Sequence, residues 1–279
     1  MSGRYCRQGE PVLAADSRAV RYGDGCFETF RSYRGRFFYL GEHLERLRNG
    51  LQYLRIRPPF EIEWESVKKK VITLLQKNNL YDGEAVVRIQ VWREGKRGFQ
   101  VSTSAKAGYC ITADPLPAIS SPVSLATVSV RRIPSEAIDP RYKLSNSINY
   151  IQAATEATER GADDALMQTT DGYISETTIA NIFWMRGKTV YTPSEQCDIL
   201  PGITRGRILH LLKTELNAPV SEGAFSLEQL KKADAAWICN SVRELVPVAS
   251  VDGHTFPGAH PFVKELEKKF KSYRQKLLV

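Results

Sequence analysis

The sequence predicts an α+β protein of two domains, and three observations point to it. Helical and strand periodicities are mixed along the chain without a strict strand–helix–strand rhythm. From Ala113 to Ser124 the composition changes to ADPLPAISSPVS, whose clustered prolines and serines read as a linker. At 279 residues, the chain lies where one core stops growing and a second becomes the rule. The expected division is a small N-terminal domain over 1–115, a linker over 116–122 and a larger C-terminal domain over 123–279.

The elements follow from spacing. Glu42–Ile56 sets Leu44, Leu47, Leu51 and Leu54 at helical intervals. Glu84–Trp92 alternates, with Val87, Ile89 and Val91 on one face and Arg88, Gln90 and Trp92 on the other, as in a half-buried strand. Beyond the linker come a strand over Ala126–Arg131, an irregular stretch ending at Pro140 and a helix over Ser145–Arg160. Two hairpins follow, ALMQT–TDG–YISE and NIFWM–RGK–TVYTP. LPGITRGRILHLLKTEL is a turn entering a helix, and AAWICN is a buried strand. No internal repeat or low-complexity tract interrupts the series.

Composition narrows the function classes. A hydrophobic fraction of 42% and a charged fraction of 25% are those of a globular chain with an ordinary core. No window approaches the ~20 apolar residues of a membrane span, and the N-terminus lacks the apolar run of a signal peptide. Five scattered cysteines without a CxxC read as reduced thiols in a cytoplasmic protein. The net charge of +8 leaves three readings open: nucleic acid, an anionic small molecule, or solubility. Its densest region, Lys264–Lys276, mixes acids and bases on an amphipathic helix, which favours a solvated face. Nucleotide-loop, zinc-hydrolase and serine-hydrolase motifs are absent, and no metal site is expected.

Five segments carry chemistry. In LPGITR the glycine before a helix leaves the amides of Ile203 and Thr204 available to an anion, although Thr204 would equally serve as a helix cap. ICNSVRELVPV ends a buried strand in Asn240 and Ser241, which are also common turn formers. Arg46 lies in EHLERL on the first helix. Glu176 closes a hairpin strand in the otherwise uncharged YISETTIANIF. Lys143, in RYKLSNSINY, precedes a helix.

These segments, with GDGCFET at Gly23–Thr29, resemble in order and spacing the class IV (fold-type IV) pyridoxal-phosphate enzymes. That family includes branched-chain and D-amino-acid aminotransferases and 4-amino-4-deoxychorismate lyase. The resemblance implies the two-domain D-amino-acid aminotransferase-like fold, with the active site between the domains and the cofactor lysine in the larger one. It implies pyridoxal 5'-phosphate (PLP) as cofactor and Lys143 as its Schiff-base lysine and the base at Cα. Glu176 would face the pyridine nitrogen. Arg46, Ile203, Thr204, Asn240 and Ser241 would hold the phosphate. A homodimer is implied, with a small-molecule substrate and neither nucleic acid nor membrane as partner.

The variable positions lean toward the lyase, which releases pyruvate and 4-aminobenzoate. GDGCF resembles the lyase pattern, and Thr29 stands where branched-chain enzymes carry glycine. Glu28 is typical of the family at large, so a transaminase acting with 2-oxoglutarate stays open. Arg97 in WREGKRGF, with Arg93 as a second candidate, could bind a substrate carboxylate through its planar fork, or be a solvated turn arginine. Phe27 would line the substrate pocket or simply the core.

Overall fold

The computed structural model describes residues 4–58, 63–102, 105–257 and 260–279. Two compact units emerge. The first comprises 1–117, 142–147 and 277–279; the second comprises 118–141 and 148–276.

In the first unit, a short helix α1 (Arg18–Tyr22) leads into β1 (Gly25–Tyr33) and β2 (Arg36–Phe37). Helices α2 (Leu40–Tyr53) and α3 (Trp64–Lys77) precede β3 (Glu84–Arg93) and β4 (Ala107–Pro115). The strands form an antiparallel sheet in the order β2-β1-β3-β4. Period-two alternation decides its faces. Val87, Ile89 and Val91 are wholly buried against Leu44, Leu47 and Leu51 of α2 and Val67, Val71 and Leu75 of α3. Each such side chain contributes ~1.5–3 kcal/mol relative to exposure. The opposite face carries half-buried Phe27, Thr29, Arg88 and Gln90. Trp92, expected on that polar face, is buried beside Gly108, where a Cβ would come within 2.4 Å of the indole.

The short segment 142–147 groups with this unit because its backbone pairs with the start of β1. Phe27 N–H donates to the Lys143 carbonyl at 2.9 Å, and Ser145 N–H donates to the Gly25 carbonyl at 2.9 Å. Gly25 is needed there, since a Cβ would stand 2.2 Å from the Val91 carbonyl oxygen.

The second unit begins with β5 (Val123–Thr127), earlier than the expected Ala126–Arg131, and α4 (Ile148–Glu159). Then come β6 (Asp164–Gln168), β7 (Ile174–Thr177), β8 (Asn181–Arg186) and β9 (Thr189–Pro193). Helix α5 (Ile203–Thr214), β10 (Val220–Gly223), α6 (Leu227–Lys231), β11 (Ala235–Asn240), β12 (Glu244–Val251), β13 (His254–Thr255) and α7 (Pro261–Leu277) complete it. Among the described residues its nine strands make one mixed sheet, ordered β10-β9-β8-β11-β12-β5-β6-β7 with β13 on β12. Both expected hairpins are present, β6–β7 and β8–β9. Phe183 and Trp237 stack at 5.7 Å in the sheet's interior. Among the described residues no helix is long and apolar enough to cross a membrane, and no acidic, histidine or cysteine group could hold a metal.

Candidate active site

Glu176 lies on β7, a strand buried along its whole length. A tight turn follows, in which Thr177 N–H donates to the Ala180 carbonyl at 2.9 Å and Ala180 N–H to Thr177 Oγ1 at 3.0 Å. It delivers Asn181 to the start of β8, beside the carboxylate. Glu176 is 4% exposed. Its Oε2 accepts from Asn181 Nδ2 at 2.9 Å and from Leu200 N–H at 3.1 Å. Its Oε1 lies 3.3 Å from Arg132 Nη2 and accepts from the Tyr150 hydroxyl at 3.5 Å. Burial alone would favour a neutral carboxyl, whereas a guanidinium and several donors favour the anion. Burial, then the Glu176 charge, pushes the Tyr150 phenol up to about 12, so Tyr150 remains a neutral donor.

The same asparagine joins this carboxylate to α5. Asn181 Nδ2 also donates to the Leu200 carbonyl at 2.9 Å. Gly202 is the N-cap of α5 and supplies no capping side chain. A Cβ there would sit 2.2 Å from Asn181 Oδ1, so glycine is required. The first amides of a helix, here those of Ile203 and Thr204, have no partner in the helical ladder, and the helix dipole favours an anion beside them. Buried Thr204 places its Oγ1 3.4 Å from Ser241 Oγ. Ser241 follows β11 in a turn shaped by Asn240, whose Oδ1 accepts from Val242 N–H at 2.9 Å and Arg243 N–H at 2.7 Å. Asn240 Nδ2 is spent on the Ile179 carbonyl at 3.1 Å.

In the first unit, the Lys143 Nζ lies 4.7 Å from the centroid of the Phe27 ring. The Arg88 guanidinium stacks on that ring at 3.6 Å, and its Nε and Nη2 donate to Gln90 Oε1 at 3.2 and 3.1 Å. Thr29 stands directly opposite Arg88 across β1 and β3. On the buried face, Glu28 is fully enclosed. Arg46 donates to it through Nε at 2.6 Å and Nη2 at 2.9 Å, and His43 Nδ1 is 2.8 Å from Glu28 Oε2. Burial lowers the His43 pKa, which keeps the imidazole neutral and makes Nδ1–H the donor.

The two candidate carboxylate-binding arginines differ. Arg93 is buried, with Nε on Asp24 Oδ2 at 3.0 Å, Nη1 on the Arg55 carbonyl at 3.2 Å and Nη2 on the Leu54 carbonyl at 2.5 Å. Its fork is committed to holding the chain. Arg97 is exposed, in a loop that Arg18 Nη1 fixes through the carbonyls of Lys96 and Gly98 at 3.0 and 2.6 Å. Arg88, Arg132, Tyr150, Asn181 and His43 were not singled out by sequence. Arg88 lies on the polar side of a strand whose alternation is evident in the sequence. The others depend on tertiary contacts.

This donor set suits PLP. A buried, cation-paired carboxylate matches a protonated ring nitrogen. Helix-end amides with two hydroxyls match a phosphate, and one asparagine fixes both to the same loop. The chain matches the family model "Amino-transferase class IV" over residues 25–251. It is 32% identical to a putative branched-chain-amino-acid aminotransferase of Methanocaldococcus jannaschii, covering 99% of this chain and 96% of that protein. It is also 32% identical to an aminodeoxychorismate lyase of Bacillus subtilis, covering 90% of this chain and 86% of that one. The crystal structure of a branched-chain aminotransferase from Thermoproteus uzoniensis with norvaline superposes with a TM-score of 0.91 at 25% identity, over 99% of this chain and 96% of that one. Fold and relatives together define a PLP-dependent enzyme of fold type IV. The chain belongs to the class IV aminotransferase family.

Proposed function

We propose that this enzyme removes the Cα proton of an amino-acid-type substrate and then eliminates at Cβ, in the manner of 4-amino-4-deoxychorismate lyase, releasing pyruvate and 4-aminobenzoate. The observation that carries the reading is the register that sets Thr29 opposite Arg88 across β1 and β3, on the sheet face where Lys143 meets Phe27 and Arg88 stacks on the same ring. A substrate with two carboxylates suits a planar cation held by stacking. Elimination also needs a donor for the departing oxygen, and Thr29 offers a hydroxyl where glycine would offer nothing.

Bound PLP supplies an electron sink for the charge left at Cα. Lys143 carries the cofactor and, once displaced by substrate, takes the Cα proton on Nζ. Glu176 keeps the ring nitrogen protonated. Arg46, oriented by Glu28, binds the phosphate together with the Ile203 and Thr204 amides, the Thr204 and Ser241 hydroxyls and the Asn240 turn. Phe27, Arg88 and exposed Arg97 meet the substrate. Arg93 holds the chain that bears them.

The second reading is an aminotransferase acting on branched-chain L-amino acids or D-amino acids with 2-oxoglutarate. The Methanocaldococcus and Thermoproteus relatives favour it. The holoenzyme should be incubated with aminodeoxychorismate and, separately, with L-leucine or D-alanine plus 2-oxoglutarate. The lyase yields 4-aminobenzoate and no glutamate; glutamate without 4-aminobenzoate selects the aminotransferase. We place the enzyme in the cytoplasm as a homodimer. Free thiols at all five cysteines and the exposed Ile148 and Ile151 on α4 support this placement. A fully active monomer in light scattering at assay concentration contradicts the dimer.

A further inference from the structure

Arg132 lies in the irregular stretch between β5 and α4, outside every motif, yet it is 4% exposed. Its Nε and Nη2 both donate to the Asp198 carbonyl, at 2.9 and 2.8 Å. Asp198 turns that carbonyl through a left-handed backbone, φ +56°, a conformation aspartate tolerates better than most residues. The Asp198 carboxylate in turn accepts from Ser135 N–H at 2.9 Å. The face of the guanidinium covers the Tyr150 ring at 4.6 Å, and the Arg132 N–H donates to the Gln168 carbonyl at 2.9 Å. The arginine is thus fixed on three sides, and its Nη2 is held 3.3 Å from Glu176 Oε1. A buried cation of this kind needs a nearby anion. Burial works against its charge; Glu176, then Tyr150 and Asp198, outweigh burial and raise the pKa above its ordinary value.

We propose that Arg132 is a positioning residue that keeps the Glu176 carboxylate ionised and oriented, so that Glu176 meets the ring nitrogen of PLP as an anion. The inference rests on the reading of Glu176 as the ring-nitrogen partner. Without Arg132, the buried carboxyl takes up the proton and the ring loses its positive charge. A less positive ring draws fewer electrons from the nitrogen that Lys143 contributes, and that nitrogen then keeps its proton to higher pH.

The test uses holoenzyme of the wild type, Arg132→Gln, Arg132→Lys, Glu176→Gln and the double variant R132Q/E176Q. Each is titrated with pH on the visible band of bound PLP, and its PLP dissociation constant is measured. Arg132→Gln should move the midpoint to higher pH and weaken PLP about tenfold, roughly 1.4 kcal/mol. Arg132→Lys, which keeps the charge, should recover most of both. In the Glu176→Gln background, Arg132→Gln should change neither, because the residue through which it acts has lost its charge. Melting of the apo-proteins registers any general loss of fold, and Arg132→Lys decides the question if Arg132→Gln does not fold. An unmoved midpoint in Arg132→Gln, alongside a moved one in Glu176→Gln, overturns the role of Arg132 alone. So does an equal shift from Arg132→Gln in both backgrounds. An unchanged band in Glu176→Gln overturns the reading of Glu176 and the inference with it.

Discussion

Arg46 grips Glu28 through two nitrogens, Nε to Oε1 at 2.6 Å and Nη2 to Oε2 at 2.9 Å, with the carboxylate wholly buried. A long arginine side chain alone would sample many rotamers, and this fork reduces them to one. Glu28→Gln keeps the shape and removes the charge. Breaking a buried pair on one side costs about 3–5 kcal/mol where the surviving charge is enclosed, and less here because Arg46 is partly exposed. PLP affinity is expected to fall at least tenfold, as read by equilibrium titration of the apo-enzyme. Unchanged affinity would separate Glu28 from phosphate binding.

The same pair makes stability depend on acid. Burial alone would raise the Glu28 carboxyl; Arg46 and then His43 more than offset it and hold the group at about 2, against an ordinary 4.5. A carboxyl depressed on folding stabilises the protein fully above its unfolded value, and that stability is lost as pH falls through the folded one. The window is therefore pH 4.5 to 2, and the contribution is roughly 3 kcal/mol at most. Denaturant unfolding of the apo-enzyme across this window should show a steeper loss in the wild type than in Glu28→Gln. Parallel curves would contradict the assignment.

Glu176→Gln should still bind PLP, about tenfold more weakly as in Arg132→Gln, since the phosphate contacts are untouched, while turnover falls much further. A loss of ~3–5 kcal/mol of transition-state stabilisation is a hundred- to several-thousand-fold in rate. Near-normal turnover would return Glu176 to the role of a buried structural carboxylate.

Thr29 separates the two reactions. Thr29→Gly should leave the visible spectrum of the holoenzyme intact and lower release of 4-aminobenzoate about tenfold or more, the scale of one lost transition-state hydrogen bond. Equal activity in the variant would remove the hydroxyl from the elimination.

The parts legible in the sequence were those whose signal is periodic. Leu44, Leu47 and Leu51 recur at helical spacing and fill one face of α2. Val87, Ile89 and Val91 alternate and are wholly buried in β3. Turn chemistry located both hairpins. Position within a local pattern fails where burial is decided by distant partners. Arg132 reads as one more basic residue of an irregular stretch, and only Asp198, Tyr150 and Glu176 make it an interior cation. Asn181 reads as a strand start, and its bridging of Glu176 and Leu200 needs two loops brought together. Linker composition hid the true start of β5 at Val123, and it carried no sign that Lys143 would run beside β1.

Lys143 bears the central claim. Reducing the holoenzyme with borohydride, digesting it and mapping the modified peptide by mass spectrometry tests this most directly. The account predicts a pyridoxyl group on Lys143, and no reducible adduct or visible band in Lys143→Ala. A pyridoxyl group on a different lysine, or a reducible adduct that survives in Lys143→Ala, would contradict it.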